Sequence, residues 1–374
     1  MSLERGPRET GGKEVARGLL GTCLDMCPEK ERRDRERFKD LAVFERVDGS
    51  RERTSADLAV KKFSRNAAEC PEDIRPVPVL LRTMEYLLGL LDDPRGQSLA
   101  TVHAFLWDRF RAIRQDLTLQ HCVSPAAVRL HEQMARFHIL SHYELCESSG
   151  PQVRASPPEE ERFEPHMNLE QLSKTLAGLF QMYDDLHRKG GVEFRTEGEF
   201  RAYYILMQTA KSDGRVDAAA VTPLLMRLRP AVLQSCEVCF TLRAFCCARA
   251  GDYVRFFRLA AGASYLQTCI LHGAFPQVRS RALQVLNKAS MKGQAWPLAA
   301  LSSVLSTEGE VAPSVLCLDY GLRLAEDRQG QPAVLLNEPG VIVQRPVNTV
   351  HRKARLVDGL RRLRSLRSEV ECNA

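Results

Sequence analysis

The stretch NLEQLSKTLAGLFQMYDDL, Asn168 to Leu186, sets Leu169, Leu172, Leu176, Leu179, Tyr183 and Leu186 three or four residues apart. On a helix these side chains share one face, so the spacing predicts an amphipathic helix opened by Asn168, with Gln171 at the capping-box position. Further along, EFRAYYIL at Glu199 and DYVRFFRL at Asp252 echo one another, each an acid followed by three aromatics in the same spacing. An acid near a helix start and aromatics facing a neighbour suit stacked helical hairpins, since one hairpin cannot bury its own apolar face. The expected fold is all-α, an α-solenoid.

Working outward, Pro151, Pro157, Pro158 and Pro165 bracket the acidic cluster Glu159 to Glu161. They mark a loop at 151–165 between an N-terminal helical block (21–150) and a helical-repeat block (166–295). Residues 1–20 are rich in Gly, Arg and Glu without apolar periodicity and read as a flexible leader. After Pro297, LAALSSVL and APSVLCLDYGL read as two short helices. The runs from Ala333 and from Val341 read as strands joined around Glu338-Pro339-Gly340, a type II turn. Helices followed by a β-hairpin predict a C-terminal winged helix at 296–350. On it Leu316, Leu318 and Tyr320 are the candidate partner-binding residues, on a short helix beside the hairpin.

The 374 residues are 44% hydrophobic and 27% charged, an ordinary globular composition with ample core. Twelve cysteines without a secretory signal ahead of them fit a reducing compartment, and no run of about 18 apolar residues occurs. The expectation is a soluble intracellular protein with no membrane insertion. The net charge of +6 concentrates between His351 and Arg367, where seven bases face Asp358 alone. In this basic amphipathic tail, 351–374, the residues Leu356, Leu360, Leu363, Leu366 and Val370 step by three or four on one apolar face. Three uses fit: phosphate contacts to RNA through Arg352, Lys353, Arg355, Arg361, Arg362, Arg364 and Arg367; docking of Leu360 and Leu363 into a calmodulin- or centrin-like groove; or packing of the leucines back on the winged helix.

Catalytic and metal chemistry lack their usual tools. Phosphate-binding loops, nucleophile elbows and dinucleotide fingerprints do not occur, so the reading is no enzyme, with no catalytic, cofactor-binding or metal site and no cofactor. HEQMA at His131 begins like a zinc-protease helix, but Ala135 stands where the second histidine belongs. His138 and His142 lack a third ligand in register and read as packed or solvated. Cys236, Cys239, Cys246 and Cys247 lie along one helical stripe and read as core, as do Cys23 and Cys27. Lys30 to Asp40 reads as a solvated helix face. Arg109, Arg111 and Arg114 read as ion-paired, with Asp108 and Asp116 beside them.

The segment GTCLDMCPEKERRDRER, Gly21 to Arg37, is stopped by Pro28 and carries Glu29 and Glu31 at the positive end of a new helix, a structural entry. GTCLDMCPEKER also resembles the opening signature of the GANP-type, suppressor-of-actin (Sac-three) family of mRNA-export scaffolds. Matches follow in order at Val60 to Leu88, Asp108 to Gln120, Arg136 to Leu145 (RFHILSHYEL), Asn168 to Leu186, Glu199 to Leu206 and Asp252 to Leu271. The resemblance spans Gly21 to Ala289 and is closest to a small member that is little more than the Sac-three domain. It implies a tetratricopeptide-like, PCI-type helical array leading into a winged helix. It implies a nuclear scaffold of the TREX-two type that pairs its winged helix with that of a PCI-domain protein carrying a small acidic subunit and helps deliver mRNA to nuclear pores; the basic tail adds the expectation of RNA binding. Centrin, a partner of larger members, supplies the alternative: a cytoplasmic scaffold at centrosomes and the spindle, acting in centrosome duplication and mitosis.

Overall fold

A computed structural model of the chain describes residues 19–65, 70–148, 163–209, 218–307, 313–339, 352–361 and 365–371. The leader, most of the 151–165 loop, the expected strand at Val341, and Arg362, Leu363 and Arg364 lie outside them. The chain divides into two compact units, residues 1–83 with 109–122 and residues 84–108 with 123–374.

The first unit holds α1 (Glu29–Arg37) and the adjoining parts of α2 (Val77–Gly89) and α3 (Leu99–Leu119). The signature segment is laid down before α1 as irregular chain that bends at Asp25 to Cys27. Thr22 N–H donates to Pro71 O (2.9 Å) and Cys23 N–H to Ile74 O (3.0 Å). Gly21 lies so close that a Cβ there would meet Ile74 O at 2.5 Å, which is why no larger residue fits. Cys23, Met26 and Cys27 turn inward while Leu24 stays exposed. Burial pushes both thiols above the ordinary value, so they pack as small hydrophobes.

Two buried carboxylates organise this unit. Glu45 accepts from Arg35, from Arg109 (3.1 Å) and from the backbone N–H of Ala42 and Val60 (3.0 Å each). Asp116 accepts from Lys61 (2.6 Å) and Arg75 (2.7 Å), and Arg75 also donates to Met26 O (3.2 Å). Arg35 is therefore interior, not part of a solvated face, although Arg33 and Glu29 on the same helix do form an exposed i, i+4 pair. Arg109 is ion-paired as expected, but to Glu45, while Asp116 serves Lys61 and Arg75, and Arg111 stacks on Phe63 (3.8 Å).

The second unit is the helical array. It runs through α4 (Pro125–Glu144), α5 (Pro165–Gly190), α6 (Glu197–Thr209), α7 (Ala218–Leu225), α8 (Pro230–Leu233), α9 (Cys236–Ala250), α10 (Tyr253–Ala261) and α11 (Tyr265–His272). Ser124 and Ser235 cap α4 and α9, and Gly191, at φ 64°, closes α5 by donating to His187 O. α4 packs on α5, α9 on α6 and α10, and α11 on α4 and α6, so each apolar stripe is covered by a neighbour. The expected helix at Asn168 begins a turn earlier, at Pro165, and Asn168 is no cap. Its buried amide accepts from His138 Nδ1–H (2.8 Å) and His103 Nε2–H (3.2 Å) and donates to His138 O (2.8 Å). Arg136 makes a bidentate pair with Glu199 (2.8 Å each).

The last part of the array is a winged helix. α12 (Phe275–Ala289) leads to β1 (Gln294–Pro297), α13 (Leu298–Leu305), α14 (Pro313–Asp319), β2 (Arg323–Glu326) and β3 (Pro332–Leu336), with sheet order β1-β3-β2, all antiparallel. β3 is thus central. Val334 pairs with Trp296 on one side and Leu324 on the other, so the hairpin turns around Asp327 to Gln331. Both β3 edges are taken, by β1 and β2, and the turn read at Glu338-Pro339-Gly340 with its strand at Val341 runs out of the described residues. α15 (Arg355–Asp358) and α16 (Leu366–Glu371) complete the described chain. Among the described residues no helix is long and apolar enough to cross a membrane.

Candidate functional site

Three surfaces of the second unit carry the candidate chemistry. On the winged helix, Leu283, Leu286, Leu301, Leu305, Cys317, Tyr320, Leu322, Val334 and Leu336 form a core. Tyr320 is buried and its hydroxyl donates to Pro276 O (3.1 Å), and Leu316 packs against the same core. Leu318 alone of the three expected partner residues faces outward, 55% exposed. The reason is helical period. Residues 316, 318 and 320 cannot share a face, whereas 316 and 320 can, and so can 315 and 318. The outward pair is Val315 and Leu318, and Val285, Met291 and Leu324 of the same module are exposed as well. Neither α13 (LAALSSVL) nor α14 (PSVLCLD) carries a base, although the second helix of such a pair is the one that reads nucleic acid in helix-turn-helix modules. This face suits protein, not phosphate.

The basic tail is not one helix. It breaks after Asp358 into α15 and α16, and both pack on the array instead of the winged helix. Tyr143, fully buried at the end of α4, accepts from Ala354 N–H (3.0 Å) and donates to Asp358 Oδ1 (2.7 Å). Burial and that aspartate push its phenol well above the ordinary range. His272 donates from Nε2 to Arg352 O (2.7 Å), since a carbonyl only accepts. Glu144 binds Lys353 and Arg361 (3.5 Å) and also accepts from Tyr265 (2.8 Å). Partial burial works against the Lys353 ammonium, but the hydrogen bond and charge of Glu144, together with the charge of Asp358, outweigh it and hold its pKa above the ordinary value. Arg367 pairs with Glu371 (2.7 Å), and Ser365 bonds Asp92. Ala354, Val357 and Val370 are buried, and Leu360 is partly so. Of the expected phosphate-binding set, Arg352 and Arg355 are exposed, and Lys353, Arg361 and Arg367 face carboxylates.

A third surface was invisible to a whole-chain charge count. Residues 236–292 hold eight bases against Glu237 and Asp252, offset by acids elsewhere. Seven of the eight, Arg243 and Arg249 on α9, Arg255 and Arg258 on α10, and Arg281, Lys288 and Lys292 on and after α12, are exposed and form no ion pair with an acid among the described residues. Arg281 reaches the α9–α10 corner, donating to Arg249 O (2.9 Å). A sliding local count of charge finds this surface; the total does not. Cys236, Cys239 and Cys246 are exposed beside it, which corrects their reading as core; only Cys247 is buried. α9 turns the stripe they share outward. His131 bonds Ala127 O (2.9 Å), and no group of three metal-binding side chains occurs among the described residues.

Comparison with known proteins places these surfaces in context. The family model described as SAC3/GANP family matches residues 26–326. The chain is 44% identical over 299 residues to SAC3 family protein B of Arabidopsis thaliana, covering 80% of this chain and 17% of that protein. It is 34% identical to SAC3 family protein 1 of Schizosaccharomyces pombe, covering 86% of this chain and 31% of that one. It is 33% identical to Protein xmas of Drosophila melanogaster, covering 90% and 16%. The chain thus spans less than a third of the length of these relatives.

Proposed function

The chain belongs to the SAC3/GANP family, and from that premise we propose that it is a non-enzymatic scaffold in nuclear mRNA export. It presents its winged helix to a PCI-domain protein carrying a small acidic subunit, and it binds RNA. The observation that carries the reading is the outward pair Val315 and Leu318 on a helix without bases, part of a module whose own core is complete beneath it. Exposed apolar side chains gathered on one module suit a protein interface. RNA is assigned to the exposed bases of α9, α10 and α12; α10 packs on α13 and α12 on β3 of that module, and α9 packs on α10.

The test uses the full chain with a purified PCI-domain protein. Val315→Glu with Leu318→Glu should leave the midpoint of unfolding nearly unchanged, since both side chains are exposed, and should weaken partner binding tenfold or more. Unchanged binding refutes the interface. Separately, Arg243→Glu, Arg255→Glu and Arg258→Glu should each flatten the salt dependence of single-stranded RNA binding by about 0.7 in logarithmic slope. Localisation through the cell cycle, with the co-purifying proteins identified, decides between this role and the centrosome and spindle alternative.

A further inference from the structure

We infer that residues 352–361 are a displaceable strap whose docking on α4 and α11 competes with polyanion binding; the inference deepens the RNA part of the proposed function and rests on it. The cradle is preformed from side chains of the array. Tyr143 and His272 hold the strap's backbone at Ala354 and Arg352, and Glu144 neutralises Lys353 and Arg361. Glu147 accepts from Lys353 N–H (2.9 Å), and Ala354 and Val357 fill the space below. The strap and the cradle have opposite charge. A phosphate chain and Glu144 therefore ask for the same two cations, and one occupant excludes the other.

The strap's secondary structure also depends on the cradle. α15 has four residues, and an isolated helix that short does not persist in water. Undocking therefore unfolds this segment and releases Lys353 and Arg361 to join the already exposed Arg355 in a flexible basic chain of the sort that folds on its target. While docked, Arg352 and Arg355 are the bases of this stretch that are fully exposed, Lys353 and Arg361 being partly covered. The apparent affinity for a polyanion is then the intrinsic affinity scaled by the undocked fraction.

The experiment compares the full chain with its Glu144→Gln variant, which keeps the side chain's size, and with Val357→Asp, which removes the apolar foothold instead of the charge. Trypsin cleavage after Lys353, Arg355 and Arg361 is followed by mass, and binding of a single-stranded uridine homopolymer is followed across a salt series. Both variants should be cut several-fold faster at those bonds. Both should bind the RNA about threefold or more tightly, with a salt slope steeper by up to about 1.4 for two released bases. In the unaltered chain, saturating RNA should speed hydrogen exchange at the Ala354 amide. Variants with unchanged cleavage and unchanged affinity overturn the inference, as does RNA binding that leaves Ala354 protected. Faster cleavage with no RNA binding by any of the three proteins overturns the competition and the RNA assignment together, while the Val315–Leu318 interface, measured with a protein partner, stands or falls on its own result.

Discussion

Glu45 and Glu144 make the same arrangement, one carboxylate between two cations, in two different surroundings. Glu45 sits between Arg35 and Arg109 with its side chain wholly buried and backbone N–H groups completing its shell. Glu144 is itself nearly buried, but Lys353 and Arg361 keep 36% and 30% of their side chains in water. In the first setting neither charge has water to return to, so the cluster locks the structure. In the second the cations exchange protein for solvent at little cost, so the contact is reversible. Identical chemistry acts as a rivet or a clasp according to whether water reaches it.

The largest effect that this contrast expects is at Glu45. Replacing it with Gln leaves Arg35 and Arg109 buried without their anion, and should destabilise the protein by about 3–5 kcal/mol, read as a lowered urea midpoint. A loss below 1 kcal/mol would erase the distinction from Glu144. Its pH dependence follows. Burial works to raise the Glu45 carboxyl, but Arg109 and Arg35 outweigh it and hold it below its ordinary value of about 4.5. A lowered folded-state pKa contributes stability that is present above about pH 4.5 and is lost as pH falls through the lowered value. Glu45→Gln should therefore flatten the acid limb of the stability curve.

Next is His103, a buried base without a nearby anion among its hydrogen bonds. Burial lowers its pKa from 6.5 to about 4, the Asn168 hydrogen bond only partly opposing. The unfolded chain then binds a proton that the folded one refuses, so stability should fall by about 3 kcal/mol as pH drops from 6.5 to 4. His103→Gln should remove that slope; an unaltered slope would assign it to other groups. Tyr143→Phe, which takes one hydroxyl from the strap, should cost about 1 kcal/mol. Glu144→Gln should cost least, within about 1 kcal/mol given the exposure of its partners, and its effect should shrink in salt while that of Glu45→Gln does not.

What could be read in the sequence follows the same line of burial. The α5 stripe, the array, the inward thiols of Cys23 and Cys27 and the winged helix were legible because apolar periodicity and punctuation by proline and glycine are local signals. The pairing of β3 was not: Ala333–Asn337 announces a strand, but its partners at Gln294 and Arg323 lie far along the chain, and nearby Val341 looked equally suitable. Asn168 reads as a cap in the sequence because caps and buried amides use the same residue, and only His103 and His138 tell them apart. The acids Glu199 and Asp252 stand at matching places in the echo yet act differently, Glu199 binding Arg136 and Asp252 capping α10. On the winged helix, Leu318 reads as outward and is exposed, whereas Tyr320 reads as surface and is buried, because sequence shows proximity, not direction. Lys353 and Arg361 appeared uncompensated because their carboxylate, Glu144, stands more than two hundred positions earlier.

That separation has a consequence for the nascent chain. The hydroxyl of Tyr143 meets Ala354 across 211 residues, and at roughly 5–20 residues per second the ribosome needs on the order of 10–40 s to supply the second from the first. For that interval α4 can form and pack while its end, with Tyr143 and Glu144, waits uncovered. A segment that emerges two hundred residues later completes a surface made earlier, so a translation that stalls or stops before residue 352 leaves a folded array with an open, sticky acidic seat, a defect for a chaperone to recognise.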